Sequence, residues 1–198
     1  VERSRGLGDV YKRQLKGSGA AGGIGGVLGG SGYIKNCYSS ATVIDQIANN
    51  TGKAGGIIGR VNGNASGSSI ENCYTSGDIN AIGGGNAGGI VGKVDGGKLV
   101  IKNCIAWNSM LVSTDKAKVG RIVGGTANAT YENCYAHDGM ILKAGEATFT
   151  VSDETSPSGS SFQGVAKSAN ELKNTVINWD SSLWKEGGNG YPVFKWSK

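Results

Sequence analysis

Four cysteines are the residues of this chain best equipped for chemistry: Cys37, Cys73, Cys104 and Cys134. A thiolate can ligate zinc, exchange disulfides or act as a nucleophile. Each cysteine directly follows an asparagine: Asn36, Asn72, Asn103 or Asn133. The Asn-Cys pair recurs at intervals of 30 to 36 residues. Zinc needs four ligands converging in a tetrahedron at about 2.3 Å. Cysteines holding the same place in successive repeats lie in a line and cannot converge that way. Four equivalent structural positions are the better reading. Disulfides between neighbouring repeats stay open, because a spacing of about 4.8 Å falls within the usual bridged Cα separation.

Other reactive patterns lack their context. His137 sits beside Asp138 and Gly139 and reads as a surface turn residue, with no G-x-S-x-G elbow to serve. Gly17–Gly22 and Gly83–Gly88 match G-x-G-x-x-G. Neither lies between a strand and a helix whose N-terminus could hold pyrophosphate. Asp45, Asp78, Asp95, Asp115 and Asp138 fall near turns at differing offsets. They read as solvated turn acids rather than a carboxylate pair of the kind that cleaves glycosides. Calcium at Asp78, Asp95 or Asp153 is conceivable, although the calcium-binding G-G-x-G-x-D pattern is absent. No cofactor, metal or catalytic residue is assigned, and the chain is expected not to be an enzyme.

The elements that position these residues are repeats. Gly25–Gly29, Gly55–Gly59, Gly88–Gly92 and Gly120–Gly124 each precede one Asn-Cys pair. Glycine is 36 of 198 residues, against a usual ~7%. With only two prolines this is not collagen; it suits close backbone approach at corners. Gly55, Gly59, Gly88, Gly92 and Gly124 are taken as turn residues. A repeat near 30 residues marks stacked units, and a propeller blade would need about 40 or more. The expected fold is all-β, a right-handed parallel β-helix of about four three-sided rungs. The rungs would span about 22–54, 55–87, 88–119 and 120–144, after a flexible lead over 15–30. Lys35, Glu71, Lys102 and Glu132 should face solvent. Strict alternation would then put the cysteines outside as well. Asn tolerates the left-handed conformation, so the asparagines should break the alternation, bond one another across rungs and turn the cysteines inward.

Residues 145–198 change character. A strand is expected over 147–151, a polar loop over 153–161, and a short helix from the Ser168–Glu171 capping box through Lys173. Trp179, Trp184, Tyr191 and Trp196 follow. A solenoid's open end needs a cap, so these aromatics are expected to plug that end rather than to stack on sugar.

Residues 9–14, Asp-Val-Tyr-Lys-Arg-Gln, resemble a translated transposase adapter used in DNA library preparation. Residues 1–14 are therefore set aside as a sequencing scar, which makes the lack of a signal peptide uninformative. Their removal lowers the formal charge from +5 to +3, too mild and dispersed to suggest nucleic acid. No run of 18 apolar residues offers a membrane span.

The pattern Gly-Gly-(Ile/Val)-(Ile/Leu/Val)-Gly, then Asn-Cys-Tyr and Ser/Thr-x-Gly, resembles the GLUG repeat of bacterial surface and secreted proteins. The best copy runs from Ile70 to Ile79 and on through Gly88–Gly92, and the likeness covers about 22–198. The ending from Trp179 and Trp184 to Tyr191–Phe194 resembles the closing segment of such proteins. Repeat four departs, with Arg121 in place of glycine and Ala136-His137 in place of Ser-x-Gly. The resemblance implies a non-enzymatic extracellular or cell-surface scaffold in adhesion, with a host or cell-surface protein or glycan as partner. The alternative it implies is a glycan-binding or accessory module of a larger extracellular protease or carbohydrate-active enzyme.

Overall fold

The computed structural model describes residues 14–17, 19–47, 49, 51–62, 66–96, 98–125, 129–156 and 161–197. Residues 1–13 of the adapter-like stretch lie outside the described residues. The chain is a β-solenoid of four full rungs, with parallel pairing between rungs. Each rung passes through five sheets in order. The first sheet holds Ala21–Gly22, Lys53–Gly55, Asn86–Gly88 and Val119–Gly120. The second holds Gly25–Leu28, Ile58–Val61, Val91–Val94 and Val123–Gly125. The third holds Tyr33–Lys35, Ser66–Glu71, Lys98–Lys102 and Ala129–Glu132. The fourth holds Tyr38–Ser39, Tyr74–Thr75, Ile105–Ala106 and Tyr135–His137, then Val165–Lys167. The fifth holds Gln14–Gly17, Thr42–Asp45, Ile79–Ala81, Met110–Ser113 and Ile141–Ala144.

Three expectations change. The first rung's glycine motif is Gly22–Gly26 rather than Gly25–Gly29, because Gly22 pairs with Gly55 and Gly25 with Ile58. The rung is built from five short strands rather than three sides, because a Gly-Gly bend and an asparagine corner each interrupt it. Residues 15–30 are no flexible lead: Gln14–Gly17 pairs with Thr42–Asp45, and two further strands follow.

The glycine motif makes the bend between the first two sheets. Gly55, Gly59, Gly88, Gly92 and Gly124 lie in the strands that flank it, and none has positive φ. Their requirement is the missing Cβ rather than a turn conformation. A Cβ on Gly55 would lie 2.1 Å from the Ile58 carbonyl oxygen and 2.5 Å from the Gly92 nitrogen. One on Gly124 would lie 2.5 Å from the Ala87 oxygen. At the bend itself one carbonyl serves two donors on the preceding rung. Ile90 O accepts from Ile57 N (2.9 Å) and Ile58 N (3.1 Å), and Ile122 O accepts from Ile90 N and Val91 N. The bend isoleucines Ile57, Ile90 and Ile122 are fully buried.

Phe162 takes the next place in this series. Its carbonyl accepts from Ile122 N and Val123 N, both at 3.1 Å, and its ring is buried against Tyr131. Arg121 fastens the segment. In earlier rungs a Cβ at this place would strike the next rung's backbone: on Gly89, 2.2 Å from the Arg121 oxygen. Among the described residues no fifth Gly-Gly bend lies above the fourth rung, so a long side chain fits. The Arg121 guanidinium donates to Gln163 O (3.1 Å), Gly164 O (2.8 Å) and Asp153 Oδ1 (2.8 Å).

The C-terminal aromatics do not plug the end, contrary to expectation. They lie along the outer face of the fourth sheet, where Tyr38, Tyr74, Ile105 and Tyr135 form one stripe. Tyr38 stacks on Tyr74 at 5.2 Å, and Phe194 and Trp184 pack on this pair. Tyr191 meets Trp107 edge-on at 4.8 Å, and Tyr74 Oη donates to the Pro192 carbonyl. Helix α1, Ala169–Trp179, outruns the expected stop at Lys173 because Leu172 and Val176, one turn apart, bury against the same stripe. Its N-terminus carries the Ser168–Glu171 capping box. Strand Ala147–Phe149 is shorter than expected and folds back antiparallel on Ile141–Ala144. Trp196 lies at the rim, 60% exposed, stacked on Phe194.

Trp184→Ala is expected to lower the unfolding free energy in urea by about 3–5 kcal/mol. Trp196→Ala should cost no more than about 0.5 kcal/mol. Equal losses would contradict the lateral packing.

Candidate functional site

Asn36, Asn72, Asn103 and Asn133 have φ of 50–53°, in the left-handed region that few residues besides glycine enter cheaply. This corner joins the third and fourth sheets. The carboxamides form a ladder. Asn72 Nδ2 donates to Asn36 Oδ1 (3.1 Å), Asn103 Nδ2 to Asn72 Oδ1 (3.0 Å), and Asn133 Nδ2 to Asn103 Oδ1 (3.1 Å).

The corner turns the next residue inward, so Cys73, Cys104 and Cys134 are buried and Cys37 is half-buried. All four thiols are free. Cys104 Sγ donates to Ile70 O (3.4 Å) and Lys102 O (3.3 Å), and Cys134 Sγ to Ile101 O (3.5 Å) and Glu132 O (3.6 Å). Burial pushes the Cys134 thiol up to about 12 and raises Cys73 well above the usual thiol range. The hydrogen bond with Cys73, then burial, raises Cys37. Raised values keep Cys37, Cys73 and Cys134 in the protonated form, which is not the nucleophilic one.

On the outer face the preceding residues alternate in charge. Lys35 pairs with Glu71 (3.4 Å) and Lys102 with Glu132 (2.8 Å). The hydrogen bond to Glu132 raises the Lys102 pKa.

The turn acids hold the architecture. Asp45 is buried, not solvated, and accepts from Ile47 N (2.9 Å) and Lys53 N (3.1 Å). Asp78 accepts from Met110 N on the next rung (3.1 Å), and Asp115 caps a single 3-10 turn through Ala117 N (2.9 Å). Asp95 lies between Arg60 and Lys93. Burial works to raise its pKa, but the hydrogen bonds from Lys93 and Arg60 outweigh this and leave it lowered. The Asp153 pKa is lowered by its hydrogen bond from Arg121. Each calcium candidate therefore already has a protein partner. Among the described residues no group of three or more His, Cys, Asp and Glu could hold a metal ion.

His137 is not a surface turn residue. It ends strand Tyr135–His137, half-buried, with its ring 6.4 Å from Trp107 and Nε2 3.6 Å from Asp138 Oδ1.

A solvent-open cleft of about 340 Å³ lies between the C-terminal end of the asparagine ladder and helix α1. Its walls are Asn103, Asn133, Tyr135, Lys167, Thr175, Asn178 and Trp179. Of these, sequence reasoning singled out Asn103, Asn133 and Trp179, each for a structural role. Nothing in the linear pattern signals that residues some 75 apart meet here.

No protein-family model and no curated protein matches the chain. Among solved structures it is similar to a Bacteroides ovatus protein described as a "putative immunoglobulin A1 protease". The identity is 50% and the TM-score 0.85. The match covers 93% of this chain and 56% of that one, so the chain spans little more than half of its neighbour's length. Among the described residues no helix is long and apolar enough to cross a membrane.

Asn103→Ala loses both ladder bonds and must hold a left-handed backbone, and is expected to cost about 2–4 kcal/mol. Asn103→Gly keeps the backbone free and should cost about 1–2 kcal/mol less than alanine. Equal costs in urea unfolding would mean the left-handed corner carries no strain.

The thiols give a pH signature. The folded pKa values of Cys37, Cys73 and Cys134 are raised, so the stability these three contribute is complete below the unfolded value near 9.0. It is lost as pH rises toward about 12 for Cys134. Cys134→Ala should therefore flatten the fall in stability over that window. An unchanged slope would contradict a buried neutral thiol.

Proposed function

We propose that the chain is a non-catalytic β-solenoid module of a larger bacterial protein that acts outside the cell, built from GLUG-type repeats. The observation that carries this reading is the commitment of its reactive side chains to architecture. The thiols bond rung carbonyls, Asp45, Asp78 and Asp115 cap backbone N–H groups, and Asp95 and Asp153 are held by cations. The neighbour supports the extracellular setting. A protein described as a putative immunoglobulin A1 protease, half identical over nearly the whole chain and much longer than it, favours an accessory module of a protease over adhesion. The work of such a module is to hold and present a host or cell-surface protein or glycan while chemistry is done elsewhere in the protein.

The test is incubation of the purified chain with immunoglobulin A1, read by denaturing gel and mass spectrometry. The heavy chain is expected to stay intact, with capture of the intact immunoglobulin by surface plasmon resonance as support for the accessory role. Specific cleavage of the heavy chain overturns the non-catalytic reading.

A further inference from the structure

The ladder is directional, and its last member is unfinished. The carboxamide oxygens of Asn36, Asn72 and Asn103 each accept from the asparagine Nδ2 of the next rung. Asn133 Oδ1 receives no such bond among the described residues, because no asparagine follows it. Val165–Lys167 continues the fourth sheet past Tyr135–His137. The corner residue that precedes it is Gly164, at φ 66°, which offers no side chain. Gln163 just before it is turned inward, accepting from Arg121 N and donating to Val119 O. The third sheet meanwhile ends at Ala129–Glu132 among the described strands. The unfinished amide thus faces the cleft beneath helix α1.

The opposite wall is preorganised. Trp179 is half-buried and held edge-on by Trp184, with centroids 6.1 Å apart and planes at 76°. Lys167 Nζ sits over the Tyr135 ring at 3.7 Å, so its charge is already engaged by a π face. Asn178 is exposed at the helix end beside Trp179. The cleft therefore combines an aromatic surface with carboxamides that both donate and accept. Its size falls at the small end of ligand sites, roughly 300–1,000 Å³. No carboxylate lines it, so it offers a cation no fixed negative charge. The mix matches a pyranose, whose hydroxyls both donate and accept and whose C–H face packs on an aromatic ring.

We propose that this cleft, bounded by Asn133, Asn178, Lys167, Tyr135 and Trp179, is a binding subsite for one neutral saccharide residue. It deepens the module reading by naming a ligand class, but its test uses sugars alone and needs no protease substrate. Failure here leaves the immunoglobulin result standing, and cleavage there leaves this subsite standing.

The experiment is an NMR titration of the ¹⁵N-labelled full chain with methyl glycosides of neutral hexoses and of N-acetylhexosamines, and with methyl glucuronide as an acidic arm. Saturable shifts of the Trp179 indole N–H and the Asn133 and Asn178 side-chain amides are expected with at least one neutral sugar. Trp179→Ala should weaken binding by roughly tenfold or more, and Trp196→Ala, on the exposed rim, should leave it unchanged. If circular dichroism shows that Trp179→Ala does not fold, Asn178→Ala on the exposed helix face decides by the same loss. Three outcomes overturn the proposal: no shifts with any neutral sugar, shifts with the glucuronide alone, or binding that survives the folded variants.

Discussion

Parallel backbone bonding from rung to rung is the interaction on which the rest depends. It brings equivalent residues to about 4.8 Å of one another and so multiplies the consequence of each residue type. At the Gly-Gly bend it leaves no room for a Cβ, because the neighbouring backbone already occupies that place at Gly55, Gly88 and Gly124. At the asparagine corner it converts one tolerated left-handed residue into a hydrogen-bonded column. On the outer face of the third sheet it sets lysine against glutamate in alternation. Each of these would be a weak local preference in an isolated strand. Stacking makes them cooperative.

The same constraint explains how the array ends. A repeat unit cannot bury its bend without a neighbour, so the final rung substitutes Arg121 for glycine and uses Phe162 as a stand-in for the next isoleucine. The aromatic segment serves another purpose. Stacking also aligns Tyr38, Tyr74, Ile105 and Tyr135 into an apolar stripe on the outside, which water would leave costly. Helix α1 and the hairpin of Trp184–Glu186 with Pro192–Phe194 cover it. The cover touches residues of all four rungs, from Tyr38 to Tyr135, and so acts as a lateral splint.

Much of this was legible in the sequence because repetition states the same fact several times. The solenoid, the Asn-Cys corner and the Ser168 capping box all rest on local spacing. The side on which the aromatics dock was not legible. The asparagine reset already turns the tyrosines of the Asn-Cys-Tyr motif outward, but Trp184 and Phe194 carry no mark in the linear pattern that pairs them with that stripe. The five-strand rung was missed because the bend and the corner split what read as continuous sides. Asp45 read as solvated because its N–H partners, Ile47 and Lys53, are local and mark only a turn, whereas its burial comes from the strands stacked on either side of it. The cleft escaped notice for the same reason: Asn103 and Asn178 meet only after the splint has docked.

The central claim is that four stacked rungs and their lateral splint unfold as one unit. Native-state hydrogen exchange at increasing urea tests it directly. The bend amides of Ile57, Ile90 and Ile122 and the Trp184 amide of the splint are expected to converge on a single opening free energy. A staircase, with the splint opening well before the bends or each rung opening at its own free energy, would contradict the account.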